Sequence, residues 1–413
     1  MYNLRPHQIE KSKHLVSILK TYTCAYLRGE VRSGKTITVL ETARIYQAKK
    51  VLFLTKKKAI PSIQNDYDNF GFDYEITITN YESIHKIKES DFDLIIYDEA
   101  HCLGAYPKPA VRTKLIKKMF SHIPCILLSG TPSAESYSQF YHQFYVSDFT
   151  PFIKFTNFYK WSKEFITVTK KKIGTHEVND YSDANVAAIE KIISPYSIIM
   201  TQQEAGFETI ITETILNIET PVSIINLVKR LIKDRAIEGT KGYLMAESPA
   251  KLQSKCHQIF NGTVILEDEN QNNINHIFST YKAQYIKERF KGVKIAIMYY
   301  YQNELEVLKS VFGDEITTCI DEFNSSNKNF AIQQSSTEGM NISKADALVY
   351  YNLGFSGKNY IQSRDRLTIK DRKNNNVYIV CESGGMTAKI LQRVKDKKSY
   401  NSKLFLKDFE AAI

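Results

Sequence analysis

The stretch AYLRGEVRSGKTITVLETARIYQ, residues 25–47, decides the fold. An apolar run of strand length leads into Gly29-Glu30-Val31-Arg32-Ser33-Gly34-Lys35-Thr36, and a helix-like segment follows. Glycines let such a loop turn its backbone N–H groups inward onto phosphate oxygens. A helix beginning at Lys35 adds the positive end of its dipole. Lys35 supplies a point charge for β and γ phosphates, and the Thr36 hydroxyl is a hard oxygen ligand for Mg²⁺. Gly29, Ser33, Gly34, Lys35 and Thr36 are therefore expected to hold a nucleotide. The bland alternative is a glycine-rich turn with an exposed lysine.

Outward from this stretch, further apolar runs recur at strand length: KVLFLT (50–55), YEITITN (74–80), FDLIIYDEA (92–100) and PCILLSG (124–130). Helical or loop stretches separate them, the pattern of a parallel sheet wound with crossover helices. The texture changes between 151 and 215, then alternation resumes with GTVIL (262–266), VKIAIMYYY (293–301), NFAIQQS (329–335), ADALVYYNLG (345–354) and NNVYIVCES (375–383). The sequence thus predicts an α/β unit over 1–150, a helical or irregular connection over 151–215, and a second α/β unit over 216–413. The tail from Ile390 reads as amphipathic helix packed on the second unit.

Composition narrows the class. Of 413 residues, 55 are Lys or Arg and 45 Asp or Glu, a net charge of +10 that fits a polyanionic partner without proving one. Hydrophobic residues at 43% exclude disorder as the main state. No run of about 18 apolar residues is present, so no membrane span or membrane partner is expected. MYNLRPHQIEKSKH lacks the apolar core of a secretory signal. The six cysteines form no C-x-x-C pair, which argues against a zinc ribbon, an iron–sulfur cluster or a disulfide framework. A reducing, cytoplasmic compartment is expected.

The second chemical motif is Asp98-Glu99-Ala100-His101 at the end of an apolar run. Ligands gather at the carboxyl ends of parallel strands. Asp98 is expected to hold Mg²⁺ through its water shell, and Glu99 to orient and deprotonate the water that attacks the γ-phosphate. A solvated turn or helix cap is the bland reading of either residue.

These residues resemble the superfamily 2 helicases and translocases, in which two tandem RecA-like domains bind ATP in the cleft between them and grip nucleic acid. Ser129-Gly130-Thr131 looks like their third motif. Leu4-Arg5-Pro6-His7-Gln8 resembles the L-R-P-x-Q segment of the Swi/Snf-like branch, of the small kind met in bacteriophages. The resemblance places Arg5 and Gln8 at the nucleotide. A glutamine amide can donate and accept at once, which suits adenine N6 and N7. It gives His101 the task of sensing the γ-phosphate. It also puts Thr55, Lys56, Lys57, Lys58, Thr79, Asn80 and Tyr81 near the nucleic-acid track, although each lysine could equally be a solvated surface charge and Tyr81 core.

In the second half, Ser335-Ser336-Thr337-Glu338-Gly339-Met340-Asn341 looks like the fifth motif in shortened form, implying nucleic-acid contacts at Ser336 and Thr337 and a nucleotide contact at Gly339. Gln362-Ser363-Arg364-Asp365-Arg366 looks like the sixth, with Gln362 at the nucleotide. Here Asp365 replaces the usual glycine, and Ile369 stands where the second arginine belongs. The arginine finger falls to Arg366 first and Arg364 second, with Lys370 and Arg372 as stand-ins for the displaced arginine. Surface salt bridges are the alternative for both.

The resemblance implies an ATP- and Mg²⁺-dependent DNA helicase or translocase that acts on replication or recombination intermediates, with replication or recombination proteins as further partners. It would work in the host cytoplasm if phage-encoded. Three alternatives stand beside it: an RNA helicase of the same fold, a motor subunit of a restriction or recombination complex, and a nucleic-acid-binding protein that does not hydrolyse ATP.

Overall fold

The computed structural model describes residues 3–88, 91–133, 135–173, 176–206, 210–270, 272–336, 342–364, 367, 374–395, 400 and 402–409. The chain divides into two compact units, Met1–Glu208 and Thr209–Ile413.

The first unit contains β1 (Cys24–Gly29), β2 (Lys50–Thr55), β3 (Glu75–Asn80), β4 (Leu94–Tyr97), β5 (Cys125–Ser129), an antiparallel hairpin of β6 (Thr169–Ile173) and β7 (His176–Asp180), and β8 (Ser197–Met200). Six of these form one sheet in the order β3-β2-β4-β5-β1-β8, every pair parallel. Parallel strands need crossover connections, and helices α1 (Pro6–Tyr22), α2 (Lys35–Tyr46) and α3 (Ile60–Phe70) are among those flanking the sheet. Both faces are buried, which explains the near-continuous apolar strands. Alternate residues feed two cores. Cys24, Tyr26, Leu52, Leu54, Ile95 and Leu127 enter one, while Ala25, Leu27, Val51, Phe53, Ile96 and Ile126 enter the other.

The second unit repeats the plan. It contains β9 (Ile210–Ile218), β10 (Ala236–Gly239), β11 (Gly242–Met245), β12 (Thr263–Glu267), β13 (Asn273–Ile277), β14 (Ile295–Tyr299), β15 (Ile316–Thr317), β16 (Asn329–Gln333), β17 (Ala347–Tyr350) and β18 (Asn374–Glu382). Its parallel sheet runs β15-β16-β14-β17-β18-β9. The structure is therefore α/β with two parallel sheets flanked by helices, matching the tandem RecA-like architecture expected. Helices Thr387–Lys395 and Ser402–Phe409 form the tail, and Ile390, Phe405 and Phe409 enter this unit's core.

Two expectations need correction. The segment 151–215 is not a separate connection. Phe152, Phe158, Trp161 and Phe165 share a core with Tyr26 and Leu127, and β8 pairs with β1, so the segment up to Glu208 belongs to the first unit. Each such aromatic contributes about 1.5–3 kcal/mol by burial, enough to bind the segment firmly. β9 then pairs with β18 as a full member of the second sheet. The run GTVIL, for its part, lies in a four-stranded antiparallel sheet, β10-β11-β12-β13, and not in the parallel one. No described helix is long and apolar enough to cross a membrane.

Candidate active site

The strand order of the first unit sets the site. β4, β5 and β1 are adjacent, so their carboxyl ends bring Asp98-Glu99, Ser129-Gly130 and Gly29–Thr36 to one edge.

Gly34 caps α2 in the left-handed region, with φ of 92°, and Arg32 is also left-handed at 63°. A Cβ on Gly34 would lie 2.4 Å from the Gln8 Nε2, and one on Gly29 would lie 2.4 Å from Lys35 Cγ. Glycine admits these approaches without displacing Gln8 or Lys35, and at Gly34 the positive φ favours it as well. The Lys35 ammonium donates to the Glu30 carbonyl at 2.7 Å, and the Ser33 hydroxyl donates to the same oxygen at 2.9 Å. A Cβ on Gly130 would stand 3.6 Å from Lys35 Nζ, so the third motif closes against the loop lysine. Thr36 lies in the first turn of α2 and is half-buried.

At the neighbouring strand end, the Thr55 hydroxyl donates to Asp98 Oδ2 at 2.7 Å, and the Tyr81 hydroxyl donates to the Asp98 carbonyl at 2.5 Å. Glu99 is left-handed, with φ of 51°, which turns the chain sharply after β4. His101 is buried. Its Nδ1 lies 3.1 Å from Glu99 Oε2 and 3.0 Å from Ser129 Oγ, and Ser129 Oγ accepts from the Thr131 N–H at 3.1 Å. The second and third motifs are thus joined through one imidazole.

The two carboxyls are pushed apart. Burial, then the adjacent Glu99 charge, raises Asp98 to about 6 against the pull of Thr55 and Lys35. Burial also works against the Glu99 charge, but the His101 contacts, Lys35 and Lys56 outweigh it and hold Glu99 at about 2. Glu99 is accordingly a carboxylate at neutral pH.

Gln8 is buried at the start of α1, and its Oε1 accepts from the Arg5 N–H at 2.8 Å. Arg5 is exposed, with Nη1 3.4 Å from the Ala205 carbonyl. A pocket of about 380 Å³ opens beside them, lined by Arg5, Gln8, Gly34, Asn65, Asp66 and Phe70, among others. Sequence reasoning missed the α3 wall. Asn65, Asp66 and Asn69 share a helix face, but nothing in the sequence says what that face looks at.

The residues assigned to the track divide. Lys57 and Lys58 are exposed and Lys56 half-buried. Thr79 is half-buried, and Asn80 Oδ1 accepts from the Ser83 N–H at 2.9 Å to cap a short 3-10 helix. Thr55 and Tyr81 are corrected: both are buried with their hydroxyls on Asp98, so neither presents its polar atom to a track. Ser336 ends a short 3-10 turn and is half-buried. Arg364 Nη1 donates to Glu213 at 3.0 Å, and the Tyr360 hydroxyl (2.7 Å) and Lys395 (2.6 Å) meet the same carboxylate. Thr337, Gly339, Arg366, Lys370 and Arg372, and the side chain of Gln362, lie outside the described residues.

No family model matches the chain, and no curated relative matches it. Among solved structures, it is similar to the Sulfolobus solfataricus SWI2/SNF2 ATPase core in complex with dsDNA (16% identity, 99% of this chain and 93% of that one, TM-score 0.42). It is similar to the S. solfataricus SWI2/SNF2 ATPase core domain (16%, 99% and 95%, 0.43) and to the Pyrococcus furiosus Hef helicase domain (12%, 95% and 98%, 0.49). None reaches a TM-score of 0.5. The strand orders and registers above carry the fold.

Proposed function

We propose that the chain is an ATP-dependent DNA translocase or helicase. One observation carries the reading: adjacency of β4, β5 and β1 brings Lys35, Asp98, Glu99 and Ser129 to one sheet edge, with Glu99, His101 and Ser129 linked at hydrogen-bond distance. A loop built for phosphates beside a half-buried, ionised carboxylate is the arrangement that hydrolysis of a γ-phosphate requires.

The residues fit ATP and Mg²⁺. Gly29, Gly34 and Gly130 let Lys35, Gln8 and the third motif pack close against the loop, and the Thr36 hydroxyl and Asp98 carboxylate are hard oxygen donors. Lys35 draws the terminal phosphates onto the loop, and Gln8 with Arg5 faces the base. Glu99, kept charged and held by His101, orients water for in-line attack and accepts its proton. Bound Mg²⁺ would neutralise charge on the phosphate oxygens, held by Thr36 and Asp98. Lys57 and Lys58, exposed just beyond β2, support backbone contacts to a polyanion.

The choice of DNA over RNA rests on the resemblance of Leu4–Gln8 to the Swi/Snf-like segment. ATP turnover measured with single-stranded DNA, duplex DNA, forked DNA and RNA tests it. Stimulation by DNA above RNA is expected. Stimulation by RNA alone would transfer the assignment to an RNA helicase.

A further inference from the structure

Two strand ends on the same side of β4, that of its neighbour β2 and that of β3 one strand further out, each place a buried hydroxyl on Asp98. Thr55 is the last residue of β2 and fully buried, and its Oγ1 donates to Asp98 Oδ2 at 2.7 Å. The register fixes the meeting: Leu54 pairs with Tyr97, and the Asp98 N–H donates to the Leu54 carbonyl at 2.8 Å. Tyr81 comes directly after β3 and is 2% exposed, with its hydroxyl 2.5 Å from the Asp98 carbonyl. Arg112 pins the same ring, its guanidinium 5.9 Å from the centroid and donating to the Cys102 carbonyl at 3.0 Å. Asp98 is thus held through its carboxylate by one strand end and through its backbone by the other.

The turns attached to these two residues matter as much as the hydroxyls. Thr55 leads at once into Lys56, then into the 3-10 turn Lys57–Ala59, which carries the exposed Lys57 and Lys58. Tyr81 opens the 3-10 helix Tyr81–Lys86, whose cap is Asn80. β2 and β3 pair in register, Thr55 beside Asn80, so both turns leave the same corner of the sheet. Short hydrogen-bonded turns transmit displacement because they have little internal freedom. A polyanion seated on Lys57, Lys58 and the Asn80 turn therefore pulls on elements whose other end holds Asp98.

We propose that Thr55 and Tyr81 are positioning residues that transmit occupancy of the nucleic-acid track to Asp98. The inference rests on the proposed function and adds the route by which a track would stimulate hydrolysis. Neither hydroxyl touches nucleic acid or nucleotide, and each acts through Asp98.

The test compares wild type with Thr55→Val, Thr55→Ser and Tyr81→Phe, all near-isosteric. Two quantities are read: duplex-DNA affinity by fluorescence anisotropy without nucleotide, and the ratio of DNA-stimulated to unstimulated ATP turnover. Because both hydroxyls are buried, DNA affinity should stay within about two-fold of wild type. The stimulation ratio should fall from several-fold toward one in Thr55→Val and Tyr81→Phe, because the hydroxyl that links the track turns to Asp98 is gone. Thr55→Ser, which keeps the donor, should restore it. Stimulation unchanged in both hydroxyl-deleted variants overturns the inference. So does loss of DNA affinity with an unchanged melting temperature, since that makes the residues direct contacts. A wild-type protein that DNA does not stimulate at all overturns the functional reading itself, and this inference with it.

Discussion

The carboxyl edges of the two parallel sheets have the same architecture and opposite chemistry. In the first unit the edge carries Lys35, Asp98 and Glu99, charges steadied by a few hydroxyls and one imidazole. In the second, β14, β16 and β17 run out into Tyr300, Tyr301, Gln334 and Asn352, and these groups satisfy one another. Buried Glu304 accepts from the Tyr300 and Tyr301 N–H groups at 2.7 and 3.0 Å and from Asn352 Nδ2 at 2.5 Å. Gln334 donates to the Asn352 carbonyl at 2.5 Å and accepts from the Gly354 N–H at 2.9 Å. Burial pushes Glu304 up to about 7 despite those donors. Among the described residues, one edge thus gathers charged groups beside a glycine loop, while the other commits its polar groups to fixing its own loops. The sheet plan repeats while the residues at the strand ends differ, and chemistry resides in those residues.

The contrast can be broken most forcefully at Glu99. Glu99→Gln should lower ATP turnover about 10³-fold while nucleotide binding persists, since the loop and Lys35 remain. Turnover and binding of a fluorescent ATP analogue would separate the two. The second unit should instead fail in stability. Lys282 and Glu382 form a fully buried pair at 2.8 Å, with Asn261 Oδ1 also on the ammonium. Lys282→Met leaves Glu382 uncompensated and should cost about 3–5 kcal/mol. Hydrogen exchange should show that loss in β9 and β18 and spare β1 and β4.

A smaller effect concerns pH. His142 is buried in the first unit, stacked on Phe158 with centroids 5.5 Å apart, and burial lowers it from 6.5 to about 4. Between those values the unfolded chain binds more protons than the folded one. Stability from this residue is therefore full above pH 6.5 and is lost as pH falls through 4, by about 3 kcal/mol at most. His142→Phe keeps the stack and should flatten the fall of the melting temperature over that window. The mildest change is at the exposed lysines. Lys57→Gln or Lys58→Gln should weaken DNA binding alike for all sequences and reduce the salt dependence by about one unit of slope each. An unchanged slope would remove them from the track.

Much of the first sheet is legible in the sequence because its signals are local. KVLFLT, YEITITN, FDLIIYDEA and PCILLSG each contain the strand they predict, AYLRGE overlaps its strand but starts one residue late, and Gly29–Thr36 forms the expected loop into α2. The remainder depends on partners far away in the chain. Ile210–Ile218 mixes apolar and polar residues without a clean period of two, and nothing local says that its neighbour is β18. GTVIL has the composition of a parallel core strand, and only its pairing with β11 and β13 makes it antiparallel. Thr55 and Tyr81 stand beside basic turns in the sequence, which points them at the track. Register alone reveals that their hydroxyls meet Asp98, and register is a tertiary fact.

The central claim is that the first unit's charged edge hydrolyses ATP in response to DNA. ATP turnover of the full chain with and without duplex DNA, for wild type beside Lys35→Ala, tests it most directly. Wild-type turnover should rise several-fold with DNA and Lys35→Ala should show neither basal nor stimulated turnover. DNA-stimulated turnover that survives Lys35→Ala would contradict the account.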